Sequence, residues 1–211
     1  MPMSLRALFL GAVLVAFSLQ SAAACQGSRM VFQDRFDNLD PAWGNDDNAA
    51  ASGGRLVLQV PQGSGGFADH LLNQSNVYGD IDECITVRFT QSTDQPGTSA
   101  GLVFWGTDDS HYYMLVVTPI GQFIVMRKVA DNRNLVPIAW TPTSAVRQGL
   151  NATNELEVIT QGNQANLFVN GVKVGQLSGQ PPESGSLVGV YWSTLNDRNV
   201  VVEFNDLRVM N

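Results

Sequence analysis

Residues 154–176 read NELEVITQGNQANLFVNGVKVGQ, the pattern of three antiparallel strands joined by two tight turns. Glu155 to Thr160 alternates polar and apolar residues, the period of a half-buried strand. Gln161-Gly162-Asn163 supplies turn chemistry, and Ala165 to Val169 is the second strand. Asn170-Gly171 then closes a hairpin, because both residues tolerate the positive φ of a type I′ turn. A two-residue loop sets the register, with Val169 opposite Val172 and Leu167 opposite Val174. Those residues and Ala165 share one face, while Phe168 and Lys173 point the other way. A face this apolar needs a second layer over it, so the expected body is an all-β sandwich.

Working outward, the other segments repeat the pattern. Met30–Phe36, Arg55–Val60 and Tyr78–Phe89 read as strands, whereas Phe67–Val77 fits either a strand or one helical turn. Gly101–Trp105, His111–Val117 and Gln122–Val129 form a meander, the first apolar on both faces and therefore central. Leu135–Trp140 is interrupted by Pro137, as an edge strand tolerates. Leu187–Trp192 and Val200–Val209 finish the chain after a Gly/Pro loop at Ser178–Gly185. No repeat or composition shift marks a second domain, and the 211 residues suffice for one full core.

At the N-terminus, Arg6 precedes the apolar run Ala7–Phe17 and the small residues Ala22-Ala23-Ala24. That order predicts a secretory signal peptide over 1–24 and a mature domain over 25–211, exported to the periplasm or medium. No later run is apolar enough to span a membrane. The net charge of −7 argues against nucleic acid or an anionic membrane as partner, since phosphates need Lys and Arg to neutralise them. The chain is expected to act as a monomer. Two cysteines remain, Cys25 and Cys84. A disulfide between them suits an oxidising compartment, and Cys84 lies opposite the core face marked by Ile81, Ile85, Val87 and Phe89. Lipidation of Cys25, which follows small residues, and free thiols are the alternatives.

The order of motifs resembles the concanavalin A-like lectin/glucanase superfamily. Within it the chain resembles the bacterial branch labelled 3-keto-disaccharide hydrolase and, more loosely, laminin-G-like domains. The matching pieces are Phe32-x-Asp34-x-Phe36 with Trp43, Tyr78-Gly79-Asp80-Ile81, and Gly101-Leu102-Val103-Phe104 followed by Tyr112-Tyr113. Asn154-Glu155-Leu156, Leu167 to Gly171, Val188-Gly189-Val190 and Val202 to Leu207 complete the set, which covers Met30–Asn211. The resemblance implies a two-sheet antiparallel jelly roll whose concave sheet meets carbohydrate. It also implies that this sheet is built from strands like those carrying Trp105, Tyr113, Arg127 and Trp192. These four are the candidate ligand-binding residues, because pyranose faces stack on Trp and Tyr rings.

Catalytic signals are weak. Retaining glycosidases of the resembling fold carry Glu-x-Asp-x-Glu on one strand, where the period of two brings the carboxylates together. Here only Asp80/Asp82 and Glu155/Glu157 come near it, the first pair at a strand entry and the second on a face read as solvated. His70 and His111 have no zinc-ligand spacing around them, and no Gly-x-Ser-x-Gly elbow or phosphate loop is present. No cofactor is implied. Ca2+ is the one cation that the acidic stretches could serve, through Asp37, Asp40, Asp46 and Asp47 or through Asp108 and Asp109. Phe32, Phe36, Phe104 and Phe204 are assigned to packing. The expected function is non-catalytic binding of a glycan or another surface polymer. A sugar-active enzyme and a protein-binding adhesive module are the rivals.

Overall fold

A computed structural model describes residues 25–60, 65–130, 133–196 and 199–211. The signal peptide expected at 1–24 lies outside them. Strands β1 (Met30–Asp34), β2 (Ala49–Ala51), β3 (Leu56–Gln59), β4 (Phe67–Tyr78), β5 (Asp82–Gln91), β6 (Thr98–Asp108) and β7 (His111–Val117) come first. They are followed by β8 (Gln122–Val129), β9 (Arg133–Pro142), β10 (Thr153–Gln161), β11 (Gln164–Val169), β12 (Val172–Ser178), β13 (Ser186–Thr194) and β14 (Val201–Met210). One sheet has the order β12-β11-β10-β5-β14-β3-β2, with β1 also pairing to β14, and the other runs β4-β13-β6-β7-β8-β9. Helical structure among the described residues is confined to two 3-10 turns, at Pro41–Trp43 and Gln95–Gly97. None of it is long and apolar enough to cross a membrane.

The core lies between the sheets and follows strand alternation. Ile85, Val87 and Phe89 of β5, with Leu156 and Val158 of β10, pack toward Leu102 and Phe104 of β6 and Leu115 and Val117 of β7. Each such side chain contributes about 1.5–3 kcal/mol on burial. A smaller apolar cluster, with Val103, Met114, Val116 and Tyr191, occupies the opposite face of the second sheet. Phe36, Phe104 and Phe204 are enclosed, and Phe32 packs against the core from its margin.

The hairpin expected at Asn170-Gly171 is present, with φ of 51° and 76° at its two turn residues. Val169 pairs with Val172 as expected, but a bulge puts Gly175, not Val174, opposite Leu167. Val172 is 54% exposed, and the core face there is carried by Ala165, Leu167 and Val169 with Leu177 of β12 and, at its margin, Val174. The ambiguous stretch before Tyr78 is a twelve-residue strand. The long strand expected over Tyr78–Phe89 is broken, because Gly79-Asp80 bend the chain into the other sheet. Leu135–Trp140 lies within the edge strand β9.

Cys25 and Cys84 form a disulfide with Cα atoms 5.7 Å apart, which engages the Cys25 sulfur and removes the lipidation alternative. The bond lays the N-terminal segment over the outward face of the first sheet. Gln26 N donates to Glu157 Oε1 at 3.2 Å and Gly27 N to Asp82 Oδ2 at 2.7 Å. The face read as solvated is therefore covered, and Glu157 is only 2% exposed. Burial, then the neighbouring Asp82 charge, raises the Glu157 carboxyl to about 7 against the pull of the Gln26 hydrogen bonds. Glu83, in phase with Ile85 and Val87, points into the sandwich with no exposure. Desolvation, reinforced by Asp82, pushes it well above the ordinary carboxyl range.

Candidate functional site

At one end of the second sheet the alternation of β6 fails. Phe104 pairs with Tyr113, and the register then slips before Asp108 meets His111. Trp105 sits in this bulge at φ 49°, a left-handed conformation that bulky side chains rarely adopt. The consequence is a change of face. Alternation alone groups Trp105 with Val103, but the ring packs on the core side with Phe104 and Tyr113, leaving Val103 in the opposite cluster. Trp105 meets Tyr113 edge-on, with centroids 5.2 Å apart at 83°. Arg127 is the cross-strand partner of Tyr113, and its Cζ lies 5.1 Å from that ring's centroid, a cation–π contact.

The loop after β12 closes over this group. Gly179 must lack a side chain, because a Cβ there would lie 2.3 Å from Trp105 Cζ3. Gln180 N donates to Tyr113 Oη at 3.1 Å. Between loop and strands lies a cleft of about 210 Å3. Trp105, Tyr112 and Tyr113 line it but are only 4%, 4% and 3% exposed, Tyr112 from the opposite face of the sheet, while Arg127, Lys128, His111, Thr107 and Gln180 supply its polar lining. His111 is held at the rim with Nδ1 2.9 Å from Asp108 Oδ1. Slight burial works to raise the Asp108 carboxyl, but hydrogen bonds from Ser110 N and His111 outweigh it and leave Asp108 below its ordinary value.

A second cleft, of about 310 Å3, adjoins the first through Thr107 and is bounded by Gln74, Asp108 and Asp109. Tyr112 links this end of the sheet to its outward face. Its ring stacks on His70 at 4.5 Å and 29°, although β13 and β6 separate their strands. His70 Nε2 lies 3.4 Å from Asp109 Oδ1. Burial, then the nearby Tyr191, Asp69 and Asp109, drives the Tyr112 hydroxyl above its ordinary range, so it stays a neutral donor.

Three of the four sequence-predicted residues, Trp105, Tyr113 and Arg127, thus meet in one cleft. Trp192 does not join them. It is fully enclosed in the core, against Phe67 at 6.0 Å and with Nε1 donating to Gln59 O, and has no surface to offer a ligand. Tyr112, Lys128 and Gln180 enter the cleft without having been singled out. Lys128 adjoins Arg127, and Gln180 lies in the Gly/Pro loop, so their positions were visible but not their convergence.

The carboxylates are engaged elsewhere. Asp80 accepts from Gly162 N at 2.8 Å, Asp82 and Glu157 hold the N-terminal segment, and Glu155 lies 3.9 Å from Arg208. Asp40 and Asp46 accept from the amides of Ala42 and Asn48 in their own turns. A hollow of about 720 Å3 is lined by residues between Phe32 and Pro41, and there Asp34 accepts from Phe36 N and Trp43 Nε1. Among the described residues, no three His, Cys, Asp or Glu side chains are grouped to hold a metal ion.

No family model and no curated protein matches the sequence. Solved structures do. A laminarinase from Flavobacterium sp. UMI-01 matches over 87% of this chain and 100% of its own, at 10% identity and a TM-score of 0.62. An endo-1,3-beta-glucanase (laminarinase) catalytic domain from Thermotoga petrophila matches over 88% and 98%, at 11% identity and a TM-score of 0.61. Carbohydrate-binding module CBM66 from Bacillus subtilis matches over 83% and 96%, at 13% identity and a TM-score of 0.53. These likenesses show the fold and not the finer 3-keto-disaccharide hydrolase branch. The two-sheet architecture and these neighbours together establish that the chain has the concanavalin A-like jelly-roll fold.

Proposed function

We propose that this protein is an exported, non-catalytic module that binds carbohydrate in the cleft between β6, β7, β8 and the loop after β12. The observation that carries the reading is the convergence of Trp105, Tyr113 and Arg127 on one ring-sized space. Aromatic walls with a few polar groups suit a pyranose, which has apolar faces and a hydroxylated rim. Export is supported by the disulfide, since such bonds persist in oxidising compartments. The absence of Glu-x-Asp-x-Glu favours binding over hydrolysis. Glycan-array screening of the mature protein followed by calorimetry tests the reading. Binding to at least one saccharide, weakened about tenfold or more by Arg127→Ala with the fold intact by circular dichroism, is the expected result. No saccharide binding across the array would reject it, and release of reducing ends from a bound glycan would convert it to the enzyme alternative.

A further inference from the structure

Charge is distributed unevenly along this chain. Between Ser110 and Asn154 four Lys or Arg residues stand against one Asp, whereas Asp34 to Asp47 holds five Asp and one Arg. The fold sends the two stretches to opposite rims of the sandwich. β9 and β12 are the terminal strands at one rim, one from each sheet, and a Cβ at Gly175 of β12 would lie 3.0 Å from Ile138 Cδ1 of β9. β2 and β4 are the terminal strands at the other. The segment joining β1 to β2 crosses between them, its Pro41–Trp43 turn against β4 and its Asp46 facing Asp69 of β4.

The first rim is basic and apolar. β8, β9, β11 and β12 contain no Asp or Glu, and Arg133 and Lys173 are exposed there. Leu135, Val136 and Trp140 of β9 and Val172 of β12 are four of the eight large apolar side chains exposed among the described residues. Such grouping marks an interaction surface and not ordinary scatter. Two more of the eight belong to the other rim, Val77 on β4 and Leu195 beside its start. That rim is acidic, with Asp37, Asp40 and Asp47 exposed. Burial, opposed by the His70 amide and reinforced by Asp46, raises the Asp69 carboxyl. Edge strands are commonly guarded by charge or by cover. Pro41–Trp43 lies against β4, but β9 has only Arg133 at its end and Pro137 within it. An apolar edge with cations at its margin suits an acidic, partly apolar cover, and the opposite rim of another copy is one.

We infer that copies of this protein associate head to tail, the β9–β12 rim of one against the acidic β2–β4 rim of the next. Contact between two different patches is heterologous, so it builds rings or open chains and not two-fold dimers. Pro137 and the turn against β4 oppose a continuous hydrogen-bonded ladder, so side chains make the contact. Leu135, Val136 and Trp140 form its apolar centre and Arg133 and Lys173 its charged margin. At about 0.15 M salt the repulsion between two acidic molecules is screened beyond about 8 Å, while rims in contact still attract.

The test is sizing of the mature protein by light scattering over a concentration series. Mean mass should rise with concentration at about 0.15 M salt, and about 1 M salt should weaken the association about threefold or more. Two variants separate the rims, each checked for an unchanged melt: Arg133→Gln with Trp140→Ser on the first, Asp37→Asn with Asp47→Asn on the second. Each alone should stay monomeric. Their equimolar mixture should form pairs and nothing larger, because each copy keeps the rim that the other lacks. Lys173→Gln, which leaves β9 untouched, should weaken association as a second reading of the first rim. A parent protein that is monomeric throughout the series would overturn the inference. So would a dimer that the first variant abolishes and the second keeps, which would place β9 against itself.

Discussion

Glu83 occupies a pleat position that belongs to the core. Its neighbours in phase, Ile85 and Val87, are apolar and enclosed, and neither of its carboxyl oxygens has a hydrogen-bond partner among the described residues. A carboxylate there would forfeit hydration without replacement, so the group is held protonated. Its pKa is raised on folding, so the folded form is favoured at low pH and loses that advantage as pH rises. Glu83→Gln is expected to leave stability at pH 5 nearly unchanged and to exceed the parent at pH 9, read from urea melts. Equal stability at pH 9 would place the carboxyl in water. Glu157 follows the same sign. Its contribution is complete below about 4.5 and is lost as pH rises through about 7. Glu157→Gln should therefore flatten the decline in melting temperature between pH 5 and pH 8, its amide still accepting from Gln26 N.

At the scale of elements, the hairpin between β11 and β12 shows how local chemistry and packing agree. Asn170 supplies a positive φ, and its side chain also joins three segments. Its Oδ1 accepts from Glu155 N at 3.0 Å, and its Nδ2 donates to Ala145 O at 2.7 Å and to Asn154 Oδ1 at 2.8 Å. Gly171 has no such contacts and serves only by its backbone at φ 76°. Gly171→Val is expected to destabilise by about 1–3 kcal/mol, because a β-branched residue must enter the left-handed region. Denaturant melts measure this, and an unchanged midpoint would contradict the turn geometry. The bulge at Trp105 is the counterpart, an irregular element that no turn motif announces. Its value to the cleft is that the ring changes face and meets Tyr113 and Gly179.

Across the whole molecule, the disulfide spans 59 residues of chain and binds the N-terminal segment to the first sheet. A loop of that size corresponds to about 4 kcal/mol in the chain-entropy treatment, with about 2–4 kcal/mol usual in practice. Reduction should lower stability by that order in urea melts and, by freeing Gln26 and Gly27, return Glu157 toward an ordinary carboxyl pKa. A reduced protein with the same midpoint and the same pH profile would show that the segment is held by its hydrogen bonds alone. What the residues indicated unaided was most of the strands and the turn at Asn170-Gly171, because alternation and turn propensity are local; the short β2 went unread, β4 stayed ambiguous, and the disulfide was one of the fates left open for the two cysteines. Which face of each central strand became the core was decided only by tertiary structure. β6 and β13 carry apolar side chains on both faces, so periodicity cannot rank them. Trp105 reached the cleft through a bulge, Trp192 was enclosed by the opposing sheet, and Glu157 was covered by a segment far away in the chain.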